Sequence, residues 1–468
     1  MSRLVSSELY CSKPGKRTVD EGGRGSGNGN GGGGSDNPND LLVFCNGDFI
    51  SVMLMLQGLK LFSSTSGLEP NVQKTSVYCS GMPEVEVNRI LEASNFSRST
   101  LPFRYLGIPI CSKRLSRGEC QELLEKMTGR IRMWSSRNLS YMGRTTLINS
   151  VLLAIHTYWA QISILPKKLL KDIEAVCRSF LWKGTQETSS PGLVAWDNIC
   201  QTKSAGGLGF RNIKEWNVAA MGRYVWDIAS KKDCLFVKWI HNVYLKNGNW
   251  WDYDPPMDCC WSWKKIVGVK NMLKQKVDVA GFVQQRHTIQ HTYKILFEGR
   301  DKTSWSKIVW DRFIIPKHKF ILWLVFWGRL NTKERIGKYN TTIDSTCFLC
   351  GQEEETSNHL FFECEYSRSC LQGLKNWLQW RSNTTNMQQL AKSFSKNKTM
   401  SAARRSVLKT ALAGLVYHIS KARNDVFWHQ KLWHTRVIIQ RVQQESKLRI
   451  LGLPNKLADD DKQWLLGN

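Results

Sequence analysis

The stretch from Cys347 to Cys364 reads CFLCGQEEETSNHLFFEC and constrains this chain more than any other segment. Two cysteines separated by two residues can turn both thiolates onto one point. A His and a Cys with four residues between them can supply a second pair from little more than one helical turn. Four such donors in a tetrahedron are what zinc takes in structural sites. Cys347, Cys350, His359 and Cys364 satisfy both conditions across an eight-residue loop, and Cys370 is a substitute ligand at poorer spacing. The competing reading is a packed core, with Cys347 and Cys364 as ordinary buried thiols and His359 as a satisfied polar residue at the edge of an element.

Charge bears on what a domain clipped in this way would touch. The chain carries 66 Lys and Arg against 39 Asp and Glu, a formal net charge of +27. Such an excess repels itself unless salt or a polyanion screens it. Neutralisation of phosphate by Lys and Arg drives nucleic-acid binding, so nucleic acid is the expected partner. No uninterrupted run of about 18 apolar residues is present to span a bilayer, and FILWLVFW (Phe320 to Trp327) is too short. The first residues have no apolar core of a signal peptide. The expectation is therefore an intracellular protein, nuclear or cytoplasmic, that spans no membrane and keeps its 14 cysteines as thiols.

Local patterns outline the organisation. The segment GGRGSGNGNGGGGS within residues 1–36 reads as flexible coil. Leu41 to Phe44 reads as a short buried strand, and SVMLMLQGLKLFSSTSG as a helix stopping at Gly67. Leu101 to Ile110 reads as extended. Ser116 and Glu119 fit a capping box that opens a helix with Cys120, Leu124, Met127, Ile131 and Trp134 along one seam. Further helices are expected from about Ser140, after Pro166 through Gly184, and from Arg404 to Lys431. Residues 101–184 hold 14 basic and 5 acidic residues. Residues 303–339 hold 8 Lys or Arg among aromatics, of which Trp305, Trp310, Phe320, Trp323 and Trp327 read as core.

From Asp344 to Tyr366 there are six acidic residues and no Lys or Arg. Three thiolates and a neutral His on Zn²⁺ add a further negative charge, so the knuckle should repel phosphate. Candidate phosphate contacts lie elsewhere: Arg117, Lys126, Arg130 and Arg132, and Lys317, Lys319, Lys333, Arg335 and Lys338. A merely solvated basic face is the plainer reading of any one of them.

Three stretches together resemble plant LINE-type (non-LTR) retrotransposon reverse transcriptases. LLVFCNGD with GLEPNVQKTSVYCSG resembles the end of the palm. LPFRYLGIPICSKRLS, with the segment from RIRMWSS to FLWKG, is similar to the thumb and the post-thumb region. WDRFIIPKHKFILWLVFWGRLNTKERI with CFLCGQEEETSNHLFFEC is similar to the reverse-transcriptase zinc-binding domain. The resemblance implies an α+β, mostly helical fold. It implies a disordered segment at 1–36, a truncated palm remnant at 37–100 and a helical thumb at 101–185. A Trp-rich connection at 186–300, a zinc-binding domain at 301–385 and a basic helical region at 386–468 complete the order. It also favours structural Zn²⁺ at the Cys/His stretch.

The departures are chemical. Where the family has Phe-Ala-Asp-Asp before an apolar strand, this chain has Asn37, Pro38, Asn39 and Asp40. Palm chemistry needs carboxylates that clamp two metal ions, and only Asp40 remains at this turn. The residues before it are too few for the third carboxylate and the fingers. Lys74 matches a lysine that lies near the incoming nucleotide in the family, although a solvated loop lysine is the plainer reading. No Gly-x4-Gly-Lys-Ser loop, His-Glu-x2-His or carboxylate tetrad for an RNase H is present. The expectation is a catalytically inactive reverse-transcriptase-like protein that binds zinc and RNA or an RNA–DNA hybrid. Mg²⁺ enters only if polymerase activity survives. The alternatives are a polymerase completed in trans and a zinc-stabilised protein-interaction scaffold.

Overall fold

The computed structural model describes residues 4–5, 7–12 and 41–452, together with 461 and 464. Within 41–452 it leaves out residues 74, 112–113, 136–137, 188–191, 247, 298–300, 340–341, 343, 382–383 and 397–399. Asp40, the turn before it and Lys74 thus lie outside the described residues. The architecture is α+β and mostly helical. By compactness the chain divides into two units, each drawn from several stretches: 1–126, 155–171 and 214–297 form the first, and 127–154, 172–213 and 298–468 the second.

In the first unit, a four-stranded sheet has the order Leu41–Asn46, Ser7–Ser12, Ser76–Ser80, Ser97–Arg98, with every pairing parallel. Parallel neighbours need crossovers: the helix Glu84–Ser94 links the neighbours Ser76–Ser80 and Ser97–Arg98, and Phe49–Ser66 runs from Leu41–Asn46 to Ser76–Ser80, with Val52, Val77 and Ile90 in the core they share. Residues 7–12, inside the segment 1–36 expected to be disordered, form a strand of this sheet. The strand at Leu41 is half-buried rather than buried, and Phe44 is exposed. Asp48 caps the first helix through Ser51 N–H at 2.8 Å, and Gly67 ends it at φ +68.

That helix bears on the expectation about membrane spans. Its 18 residues reach a mean hydropathy of 1.2 with only 6% of them buried, so it is long and apolar enough to cross a membrane. Gln57, Gly58, Lys60 and the terminal hydroxyl residues interrupt the apolar run without lowering its average below that mark.

Leu101 to Ile110 forms a hairpin of Phe103–Tyr105 with Ile108–Ile110. Leu106 and Gly107 both have positive φ, 49 and 77, as a two-residue hairpin turn of matching twist demands. The remaining core of this unit is helical and aromatic, with Trp250, Trp251 and Trp263 among the helices that follow Ile213.

The capping box is present. Ser116 N–H donates to Glu119, and Glu119 N–H donates back to Ser116 Oγ at 3.3 Å. In the helix Gln121–Ser135 that it opens, Cys120, Leu123, Met127 and Ile131 are fully buried, while Leu124 and Trp134 are half-buried. Three residues of the expected seam are thus buried, with Leu123 taking the place of Leu124. Ser140 caps the next helix through Gly143 N–H at 3.2 Å, and the helix after Pro166 runs Lys167–Lys183.

In the second unit, the long helix Ala402–His429 is buried along most of its length, from Val407 to Ala422. Leu408, Leu412, Leu415 and Ile419 lie inside as expected, and Val426 is half-buried. Around it pack the helices Pro316–Phe326, Glu365–Trp377 and Thr435–Leu451. Phe320 and Trp323 are core, whereas Trp305, Trp310 and Trp327 are half-buried. The indoles of Trp323 and Trp327 both donate to the Gly206 carbonyl, at 2.7 and 2.9 Å. Gly206 sits at φ +90, and a Cβ on Gly207 would stand 2.1 Å from the Gln201 carbonyl oxygen, so both positions require glycine.

Candidate metal centre

The knuckle begins where Cys347 N–H donates to the Glu353 carbonyl at 2.7 Å and Gly351 N–H to the Cys347 carbonyl at 2.8 Å. Gly351, at φ +65, lets the chain leave the Cys-x2-Cys turn. A bridge between Thr346 and Glu354 closes the loop. On the other side, His359–Glu363 forms one wide helical turn, and Cys364 N–H returns to the His359 carbonyl at 2.8 Å. Cys364 then caps the helix Glu365–Trp377. One tight and one wide turn therefore fix all four side chains.

The ligand atoms of Cys347, Cys350, His359 and Cys364 lie within 4.8 Å of one another. Cys350 Sγ is 3.3 Å from His359 Nε2. Zn–S bonds of about 2.3 Å in a tetrahedron separate sulfurs by about 3.8 Å, so the spread fits one ion. Cys347, His359 and Cys364 are buried and Cys350 is partly exposed, which leaves an approach for the metal. Leu349 N–H points at Cys347 Sγ at 3.4 Å. The Cys364 thiol is held below its ordinary range, first by the hydrogen bond from Cys347 and then by Ser367 and Tyr366 N–H at the helix start. The same hydrogen bond, with burial, pushes Cys347 up. Burial raises Cys370 to about 12; it is not among the converging donors.

Outside the donors, Glu353 Oε2 stands 2.9 Å from His359 Nδ1, at ion-pair distance without hydrogen-bond alignment. A carboxylate there fixes which ring nitrogen faces a metal. Glu355 has a different role from the one its acidic neighbours suggest. It is fully buried, and Arg423 of the long helix grips it through Nη2 at 2.8 Å and Nε at 3.1 Å. Lys333 N–H donates to the same oxygen at 3.0 Å, and Glu355 N–H donates to the Ser345 carbonyl at 2.8 Å. The acidic run is thus only partly a surface. Nothing in local spacing marks this pair, because its members lie 68 residues apart.

The basic residues singled out from the sequence have mixed surroundings. Lys333 is buried, with its ammonium 3.6 Å from the Phe348 ring centre and 3.4 Å from Asp344. Lys317 pairs with Glu445 at 3.0 Å. Burial pushes the Lys319 ammonium down, and does the same to Arg335, which donates to the Arg329 carbonyl. Lys338 is exposed beside Glu334 at 3.1 Å. Arg117, Lys126 and Arg132 are exposed, Lys126 pairs with Glu122 at 2.9 Å, and Arg130 is half-buried.

One surface has no counterpart in the sequence pattern. Phe348, inside the Cys-x2-Cys turn, packs on Phe427 with ring centres 5.2 Å apart, and Arg423 lies over it at 5.0 Å. Beyond Phe427 stands Trp428, 72% exposed, at the end of the long helix. Lys431 and Arg441 lie over the neighbouring Trp433 ring at 4.1 and 4.3 Å.

Fold and site define a mostly helical α+β protein with a three-cysteine, one-histidine cluster on a turn and a helix start. Residues 287–370 match the family described as zinc-binding in reverse transcriptase. The chain is 27% identical over 175 residues to "Putative ribonuclease H protein At1g65750" of Arabidopsis thaliana, a match covering 36% of this chain. It spans only 28% of that protein's length. It is 22% identical over 124 residues to "Uncharacterized mitochondrial protein AtMg00310" of the same plant, covering 26% of this chain and 80% of that one. Together these similarities support a retrotransposon-derived reverse-transcriptase region.

Proposed function

We propose that this chain is a zinc-stabilised, nucleic-acid-binding part of a LINE-type reverse transcriptase, with no template-directed synthesis of its own. The observation that carries the reading is the convergence of four soft and borderline donors within 4.8 Å, inside the segment that matches the zinc-binding family. Cys347, Cys350, His359 and Cys364 would hold the ion. Bound zinc supplies no chemistry to a substrate here; it ties the turn carrying Phe348 to the helix start at Cys364. That tie supports the aromatic and basic surface ending in Trp428. Exposed rings beside Lys and Arg suit single-stranded nucleic acid, whose bases stack on any aromatic face.

The expected ligand is RNA or an RNA–DNA hybrid, held mainly through phosphate. Binding of the full chain to a labelled RNA should weaken steeply with salt and vary little with sequence. Replacing Arg130 and Arg132 by Ala should flatten the salt slope by about one to two units. Trp428→Ala should weaken single strands more than duplexes. Unchanged binding in all of these variants would overturn the nucleic-acid reading. Nucleotide incorporation by the purified chain with Mg²⁺, lost on Asp40→Ala, would instead favour a polymerase completed in trans. One observation favours the scaffold alternative, namely the helix Phe49–Ser66, whose apolar surface is largely uncovered.

A further inference from the structure

Three helices of the second unit bring a second group of metal-ligating side chains together, away from the cysteines. His318 comes from the first turn of Pro316–Phe326, His418 from the middle of Ala402–His429, and Glu445 from Thr435–Leu451. Glu445 Oε2 lies 2.9 Å from His318 Nε2 and 3.4 Å from His418 Nε2. One ligand atom from each of the three residues falls within 4.8 Å of the others. The two imidazoles are 1% and 3% exposed.

At 2.9 and 3.4 Å the three side chains stand at ion-pair distance, without the alignment of hydrogen bonds. The ring nitrogens of both histidines and Glu445 Oε2 are buried without a hydrogen-bond partner. Buried polar atoms left in that state are rare in folded proteins and call for a missing partner. A shared cation is such a partner, because it accepts lone pairs from all three atoms at once. Ligands bound at about 2.0 Å in a tetrahedron stand about 3.3 Å apart, close to the spacing seen here. Lys317 occupies the other carboxylate oxygen, Oε1, at 3.0 Å, which leaves Oε2 facing the two rings.

We propose that His318, His418 and Glu445 form a second transition-metal site, for Zn²⁺ or a similar divalent ion. Two imidazoles and one carboxylate favour such ions over Mg²⁺ or Ca²⁺, which prefer oxygen ligands. Three protein ligands leave a fourth position for water or an added group. The Glu445 side chain is 30% exposed and opens a route for the ion. The site cross-links three helices, two of which are also joined by the Lys317–Glu445 ion pair.

The test uses the full chain loaded with zinc, then gel-filtered and assayed for metal. The expected content is two ions per chain, falling to one in Glu445→Gln and to one in Cys350→Ser. In parallel, Co²⁺ is titrated into metal-free wild-type chain. One equivalent should bring thiolate-to-metal charge transfer, and a second should add only the weak visible bands of a nitrogen and oxygen site. This second measurement holds even if a variant fails to fold. A single ion in the wild type, unaffected by Glu445→Gln, would overturn the proposal, as would a cobalt titration that ends at one equivalent. If the cysteine site alone is wrong, the weak visible bands still appear without charge transfer.

Discussion

The knuckle at residues 344–370 and the sheet with its first helix at residues 41–98 solve the problem of a small core in opposite ways. The knuckle is ordered by a few polar groups with defined partners. Donors converge within 4.8 Å, Glu355 is fully buried against Arg423, and the turn closes through Gly351. In the other region, the helix Phe49–Ser66 buries only Val52 fully and leaves Ile50, Leu54 and Leu61 between 63% and 72% exposed. The difference teaches where each segment's order comes from. The knuckle draws on ligands and charge pairs that fit only one geometry. The helix draws on local propensity and caps, with much of its apolar surface unused.

The comparison breaks most visibly at the ligands. Cys350→Ser, or removal of metal by a chelator, should abolish zinc binding at the cluster and unfold the segment from 345 to 365. In small structural sites metal affinity is folding free energy, on the order of 10 kcal/mol. Hydrogen exchange should show these amides losing protection, while the helix Phe49–Ser66 is unchanged. Retained protection in the metal-free chain would mean that packing, not the ion, holds the knuckle.

Next in size is the buried pair. Glu355→Ala leaves the Arg423 guanidinium without its carboxylate, and such a break costs about 3–5 kcal/mol. The thermal midpoint should fall accordingly. Joining Glu355→Leu to Arg423→Met should recover most of the loss, because two apolar groups leave no unpaired charge behind. If the double variant is as unstable as the single one, the pair specifies the knuckle's geometry beyond its charge balance.

Much of this was legible in local spacing. The Cys and His intervals, the Ser116–Glu119 box and the stop at Gly67 are short-range features with one physical solution each. The seam of Gln121–Ser135 was legible only to within one position. Leu123 and Leu124 both suit a helical stripe through Met127 and Ile131, and packing chose Leu123. Long-range pairings were not legible. Lys333 reads as a surface charge within KER, yet it is buried over Phe348. The partners of Glu355 and the His318, His418 and Glu445 group come together only when distant helices pack, and no periodicity encodes that. The exposure of Phe49–Ser66 was hidden for a related reason: an apolar pattern shows that a helix forms, not whether anything covers it.

The smallest expected effect sharpens that last point. Leu54 and Leu61 are 63% and 67% exposed, so replacing both with Ser removes little buried area. Surface substitutions of this kind usually change stability by no more than about 0.5 kcal/mol each. The double variant should therefore unfold at nearly the wild-type temperature while losing any tendency to self-associate or to bind vesicles of neutral phosphatidylcholine. Neutral lipid is the right probe, since a chain of net charge +27 adheres to anionic surfaces whatever its helices do. A large drop in the midpoint would show that these leucines are covered in the folded protein. The contrast would then lie between two kinds of burial, by metal and charge in the knuckle and by an apolar partner along the helix.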